Sequence, residues 1–423
     1  MILKKYFKDS LLFNSKNYLY LNISYFFQTL MGLVCVLQII YLKDFDFLGI
    51  FSQFYTCFVI LGHLFAFGIG DSILRNIPIS KNNNQSNDKF ISALALTVLI
   101  GFILFFFFFL IFTFFKSYFE KFYYIFNIIF LISIFIFSIN KIFFSYYNAT
   151  GKIKYFSFLN SIRPFLIAIL LFRQIQNEEE QNVALIFLIT ELIIFILCLI
   201  KSFYMLRKSL VKFRFFKLHF HFGRKILFNN ILSESLIKVD IICLSLLLST
   251  YYVGLYSLAS FFFEGFYQFL ISIKNNINPM LSKLYFVKNI KNLFKLIRIS
   301  SLISLILAFI YFVIILLVYL FIKYFSLPFE ESALILLILV TGLLFYSFII
   351  PMENIFSQTN RPALQSYFMF ILFFVNLILN IIFIKLYDVY GAAIATTLSY
   401  IMIIPIFLFF FKKIFKNKLN FFI

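Results

Sequence analysis

Runs of about twenty mostly apolar residues, the length that crosses a bilayer as a helix, recur along the chain between short polar interruptions. They lie near 18–42, 47–74, 90–115, 122–147, 156–172 and 182–206, and again near 226–249, 253–274, 299–322, 333–355, 363–384 and 391–411. The pattern predicts twelve membrane-spanning helices. It breaks near the midpoint at 207–225, RKSLVKFRFFKLHFHFGRK, where Arg207, Lys208, Lys212, Arg214, Lys217, Arg224 and Lys225 occur with no acid among them. At helical spacing Phe213, Phe216 and Phe220 fall on one side and Arg214, Lys217 and His221 on another, as in an amphipathic helix lying in the membrane interface. The expected organisation is therefore a six-helix bundle over 1–206, a basic cytoplasmic connector over 207–225, and a second six-helix bundle with a basic tail over 226–423.

Charge supports the count. Lys and Arg gather in 1–17, 75–89, 148–155, 207–225, 275–298, 356–362 and 412–423, where the acids are Asp9 and Asp88. The alternate loops hold the acids Glu178–Glu180, Glu330 and Glu331. Cations mark the cytoplasmic side, which places both termini in the cytoplasm. An odd number of spans would scramble that segregation. The net charge of +20 is then a matter of membrane sidedness, and nucleic acid is not an expected partner.

Composition agrees: 63% of residues are hydrophobic, 13% are charged, and the mean hydropathy is +0.99, too apolar for a water-soluble surface. Cys35, Cys57, Cys198 and Cys243 are isolated in apolar runs, without metal or redox spacing, and read as packing residues. The N-terminus carries charge on both sides of a short apolar patch and no cleavage site, so no signal peptide is expected. Every outer loop is short. No extramembrane domain is left to house soluble chemistry, and a transporter is expected rather than an enzyme.

A weak internal repeat joins the halves. Gly49-Ile-Phe-Ser52 recurs as Gly254-Leu-Tyr-Ser257, and Thr150-Gly-Lys152 answers to Thr359-Asn-Arg361 at nearly the same offset. Both members of each pair face one side, which implies a parallel repeat of two bundles.

Ionisable residues inside a span are costly and need a partner or a hydrated cavity. Asp71 and Arg75 are four apart, as are Glu234 and Lys238, and both spacings suit intrahelical pairs. Lys201 and Lys274 lie near span ends and can snorkel. Gly62, Ala66 and Gly70 form a packing stripe, and His63 reads as a hydrogen-bonded packing residue. Arg163, beside Pro164, and Lys141 lie deep, and with Arg75 they are the candidate lumen cations for substrate. Asp240 sits near mid-span, well round the helix from Lys238. With Glu264, Glu353 and Glu191 it forms the set of coupling-ion candidates. Cations in the first half would suit an anionic substrate and acids in the second a coupling ion. Two readings of Arg163 stay open: a planar fork for pyrophosphate, or a pair with Glu191 that holds spans five and six together.

Gly68-Ile-Gly-Asp-Ser-Ile-Leu-Arg75, Asn148-Ala-Thr-Gly-Lys152, Asp240-Ile-Ile-Cys-Leu244, Val253-Gly-Leu-Tyr-Ser-Leu-Ala259, and Asn380 with Tyr390-Gly-Ala-Ala-Ile-Ala-Thr396 follow one another over roughly 14–411. In order and spacing the chain resembles the polysaccharide (O-antigen repeat-unit) flippases of the multidrug/oligosaccharidyl-lipid/polysaccharide exporter superfamily. The resemblance implies an all-α integral membrane protein, a V-shaped, alternating-access pair of bundles in the bacterial cytoplasmic (inner) membrane. It implies movement of an undecaprenyl-pyrophosphate-linked oligosaccharide, an O-antigen or capsule repeat unit, from inner to outer leaflet. A coupling proton or sodium ion is expected, and no other cofactor or metal. The expected partners are the lipid-linked oligosaccharide, membrane lipids and other polysaccharide assembly proteins, around a monomer. A multidrug/cation antiporter of the same fold is the main alternative, and it would favour an acidic pocket without Lys141 and Arg163. A peptidoglycan lipid-precursor flippase would carry two further helices, and a membrane sugar polymerase or glycosyltransferase would need an exposed catalytic loop.

Overall fold

The computed structural model describes residues 15–78, 80, 82–114, 127–175, 182–359 and 361–415. The ends of the chain, Lys81, Lys116, Lys121, Glu178–Glu180 and Asn360, with the charges expected there, lie outside the described residues. The fold is all-helical. In chain order the helices are α1 (Ser15–Leu42), α2 (Phe45–Ala66), α3 (Ile69–Asn76), α4 (Asn83–Phe114), α5 (Ile128–Ala149), α6 (Ile153–Ile175) and α7 (Asn182–Lys208). They continue as α8 (Phe213–Leu247), α9 (Thr250–Phe286), α10 (Ile290–Tyr324), α11 (Glu330–Ser347), α12 (Ile355–Gln358) and α13 (Pro362–Phe415).

Among the described residues the apolar runs expected to span are largely helical. Among the described residues nine helices are long and apolar enough to cross a membrane by length and composition. α8 and α9 stand outside that nine. The first carries the basic stretch with Glu234, Lys238 and Asp240, and the second carries Glu264 and Lys274. α13 is two helices joined at a kink, where Tyr387 and Asp388 leave helical geometry, Asp388 with φ 49°. Phe102, Ile103 and Phe106 on α4, and Phe309, Ile310 and Leu317 on α10, point outward. Helices that are apolar on their outer faces belong in lipid.

Two expected spans are broken. The run 47–74 ends as a helix at Ala66, and Phe67 (φ 50°) and Gly68 (φ 65°) turn the chain before α3 begins. The second position needs glycine. A Cβ on Gly68 would come within 2.9 Å of the Gly223 carbonyl oxygen and 2.5 Å of the Ile226 side chain, and L side chains avoid that left-handed region. The run 333–355 stops at Ser347, and Ile350–Met352 forms a 3-10 turn around Pro351, whose ring removes a helical donor.

The chain divides into two compact units, residues 1–43 with 57–231, and residues 44–56 with 232–423. The first has a core of Phe90, Phe143, Tyr147, Leu159, Ile194 and Cys198. The basic stretch packs with this unit and runs on without a break as α8, so the amphipathic segment and the seventh span are one helix. Its entry is fixed by α4: the Leu210 amide donates to Asp88 Oδ1 at 3.0 Å and the Lys212 amide to Ser92 Oγ at 3.0 Å. The Lys212 ammonium lies 2.5 Å from Asp88 Oδ2. His219 is fully buried, with Nε2 3.1 Å from the Lys89 carbonyl and Nδ1 2.9 Å from Ser72 Oγ. A ring that donates from Nε2 and accepts at Nδ1 is the neutral tautomer. Burial pushes its pKa down to about 4, the Lys89 carbonyl opposing and the Lys89 charge adding to the shift.

The second unit is organised around Leu244, Val253, Leu339, Tyr346, Ile350 and Phe356. Here the two glycines of the internal repeat meet. A Cβ on Gly254 would lie 1.9 Å from the Phe45 carbonyl oxygen, and one on Gly49 2.1 Å from the Thr250 carbonyl oxygen. The starts of α2 and α9 therefore cross backbone to backbone, a contact open only to glycine.

Candidate functional site

The first unit holds a partly open cavity of about 330 Å³ between α2, α3, α5, α6 and the middle of α8. Its polar lining is His63, Asp71, Lys141, Ser145, Asn148, Asn160, Arg163 and Asn230, with Phe137, Phe144 and Phe156 between them. The 3.6-residue period places these groups: Lys141, Ser145 and Asn148 recur at four and three along one stripe of α5, and Phe156, Asn160 and Arg163 do the same on α6.

Arg163 reaches the cavity but is already committed. Its Nε lies 2.7 Å from Glu191 Oε1 and a terminal nitrogen 3.2 Å from Oε2. The guanidinium carbon stands 4.9 Å from both the Phe137 and Phe144 ring centres, a cation–π arrangement on two rings. Glu191 is 1% exposed, and it also accepts from the Asn140 amide at 2.8 Å. The contact that the second reading expects, a pair with Glu191, is made. Lys141 Nζ lies 2.6 and 2.8 Å from the two ring nitrogens of His63. An ammonium can only donate and an imidazole offers at most one acceptor nitrogen, so one of these two contacts is the hydrogen bond. Arg75 is not part of the cavity lining. It is exposed and stands over the Phe222 ring at 5.2 Å. The expected Asp71–Arg75 pair is not made: among the described residues Asp71 takes one hydrogen bond, from Asn230, because Asp71 faces the cavity and Arg75 leaves it.

The second unit holds the other candidates. Asp240, buried on α8, accepts from Tyr256 Oη and from Thr396 Oγ1 at 2.7 Å on one oxygen, and from the Asn380 amide at 2.8 Å on the other. All three donors are neutral. The Asn380 amide also donates to Asn376, while its own carbonyl oxygen is buried with no partner among the described residues. Glu264 and Glu353 differ from Asp240 in kind. Lys238 lies 2.5 Å from Glu264, which Ser260 also contacts, and Lys274 lies 3.1 Å from Glu353, which accepts from Tyr346 as well. Lys238 thus bonds across to α9, where spacing alone suggested Glu234, and Lys274 is buried in an ion pair rather than snorkelling. These two lysines are matched to Glu264 and Glu353, while the partners of Asp240 among the described residues are neutral. Among the described residues no three His, Cys, Asp or Glu side chains gather as a metal site.

Sequence reasoning missed the partners more than the charges. Asn140, Tyr256 and the His63–Lys141 contact were not anticipated, and the cavity amides Asn148 and Asn160 carried no charge to draw attention. Asn380 and Thr396 were noted only as parts of longer motifs, yet both are polar residues in apolar runs, which is the signal that could have paired them with Asp240.

The profile of a family described as polysaccharide biosynthesis protein matches residues 15–285. No curated protein matches the chain by sequence. Among solved structures, lipid II flippase MurJ in an inward closed conformation is similar at TM-score 0.71 and 20% identity, over 93% of this chain and 87% of that one. The MATE transporter VcmN of Vibrio cholerae is similar at TM-score 0.68 and 16% identity, over 96% and 98%. A MOP superfamily transporter from Pyrococcus furiosus is similar at TM-score 0.69 and 13% identity, over 94% and 95%. At these identities the likeness is one of fold.

Proposed function

Because the chain belongs to the polysaccharide biosynthesis protein family, we propose that it is a flippase carrying a lipid-linked oligosaccharide across the bacterial cytoplasmic membrane, with both termini in the cytoplasm. The observation that carries this reading is the polar cavity of the first unit. Amides, a carboxylate and an ammonium inside a bundle with apolar outer faces are costly unless something polar passes there. The carried lipid is, on this reading, undecaprenyl pyrophosphate bearing an O-antigen or capsule repeat unit, whose headgroup crosses while its prenyl chain stays in the bilayer.

Asp240 is the coupling residue in this proposal. Glu191, Glu264 and Glu353 are each neutralised by an arginine or lysine, so taking up a cation at any of them would first break an ion pair. Among the described residues Asp240 accepts hydrogen bonds from neutral donors, so a cation taken up there displaces no arginine or lysine. A sodium ion is the candidate beside a proton, since the Asp240 carboxylate and the Thr396 hydroxyl supply oxygens of the kind a hard cation takes. The cation supplies the driving gradient, while Tyr256, Thr396 and Asn380 hold the carboxylate in place.

A multidrug/cation antiporter is the second reading, and the fold it shares with VcmN favours it. Deleting the gene separates the two. A flippase leaves lipid-linked repeat units on the cytoplasmic leaflet and strips the matching glycan from the cell surface. Unchanged glycan with altered drug sensitivity would establish the antiporter instead.

A further inference from the structure

The charge and hydrogen-bond inventory of the cavity points to one part of the carried headgroup. We infer that the first unit's cavity receives a neutral sugar ring rather than the pyrophosphate, an inference that rests on the flippase reading above. A pyrophosphate site needs surplus positive charge and several donors aimed at one place. This cavity lacks the surplus. Arg163 spends its charge on Glu191 and its faces on Phe137 and Phe144. Lys141 is opposed in the same lining by Asp71, a carboxylate that repels phosphate. The remaining polar groups are of the kind that reads hydroxyls. Asn148, Asn160 and Ser145 line the space and spend no side-chain hydrogen bond on a described residue, so each amide offers two donors and an acceptor and the serine one of each. Asp71 accepts only from Asn230 and has capacity for a further hydroxyl donor. Phe156 supplies an apolar face for the C–H side of a ring. At about 330 Å³ the cavity lies at the small end of ligand pockets, which run from roughly 300 to 1,000 Å³. The pyrophosphate is then left to groups outside this cavity.

The test is calorimetric binding to the purified full chain in nanodiscs. The probes are a water-soluble short-chain polyprenyl pyrophosphate and three derivatives of it bearing glucose, galactose or N-acetylglucosamine. At least one sugar-bearing probe should bind roughly tenfold more tightly than the bare pyrophosphate, the worth of one or two neutral hydrogen bonds. The double variant Asn148→Ala/Asn160→Ala should lose that advantage while binding the bare pyrophosphate as the wild type does, which also verifies that it folds. Equal affinity for all four probes would overturn the sugar assignment and leave the flippase reading standing. No binding of any probe would overturn both.

Discussion

Removing Arg163 separates a charge that serves the substrate from one that serves the bundle. In Arg163→Ala the Glu191 carboxylate, 1% exposed, keeps, among the described residues, the Asn140 amide as its one side-chain donor. Truncating one partner of a buried pair costs about 3–5 kcal/mol, because the other charge is left uncompensated. Loss of the guanidinium from between Phe137 and Phe144 adds about 0.5–2 kcal/mol. Against a total stability of the order of 5–15 kcal/mol, that is enough to deplete the folded protein. Replacing both charges, Arg163→Leu with Glu191→Met, removes the uncompensated ion and should restore most of the loss, as apolar replacements of buried pairs do. Folded yield is read by size-exclusion chromatography of the full chain with a thermal ramp, and transport as surface glycan per folded molecule. The single variant should be scarce, and the double variant should be abundant and transport normally. A double variant that is abundant and folded but moves no substrate would refute the reasoning and return Arg163 to the substrate.

Two more perturbations probe other parts of the account. Asp240→Asn keeps the shape and removes a buried acid held by neutral donors, so it should fold normally yet lose the response of transport to an imposed proton or sodium gradient; an intact response would place coupling elsewhere. The buried neutral His219 makes the docking of residues 213–225 sensitive to acid: above the ordinary value of 6.5 both docked and undocked rings are neutral, and as pH falls toward about 4 the undocked ring protonates first. Docking is thereby weakened by about 3 kcal/mol in total. The protection factor of this segment, the ratio of intrinsic to observed hydrogen exchange at each pH, should fall between pH 7 and pH 4.5 in the wild type and stay flat in His219→Gln, and a flat protection factor in the wild type would contradict the assignment.

The helices were legible because a bilayer demands long apolar runs, and those leave an unmistakable trace in the chain. The isolation of Asp240 was legible as well, since its angular distance from Lys238 follows from helical geometry alone. Pairings between helices were not. Lys238 could be offered to Glu234 by spacing, but its bond to Glu264 depends on how α8 meets α9, which no local pattern encodes. The same holds for Lys274 with Glu353. Arg163 shows the boundary: depth and the presence of Glu191 framed both readings, and only the bidentate contact between α6 and α7 favoured one. The break at Phe67 and Gly68 was hidden because apolarity continues through it, and what ends the helix is the close approach of Gly223.

Lipid-linked oligosaccharide transport is tested most directly by reconstituting the purified protein into proteoliposomes with a lipid-linked oligosaccharide and following access of a sugar-specific lectin to the opposite leaflet. Translocation should require the protein, accelerate under a proton or sodium gradient, and lose that acceleration in Asp240→Asn. Lipid that stays on its original leaflet while the same vesicles exchange a cationic dye for protons would contradict the flippase account.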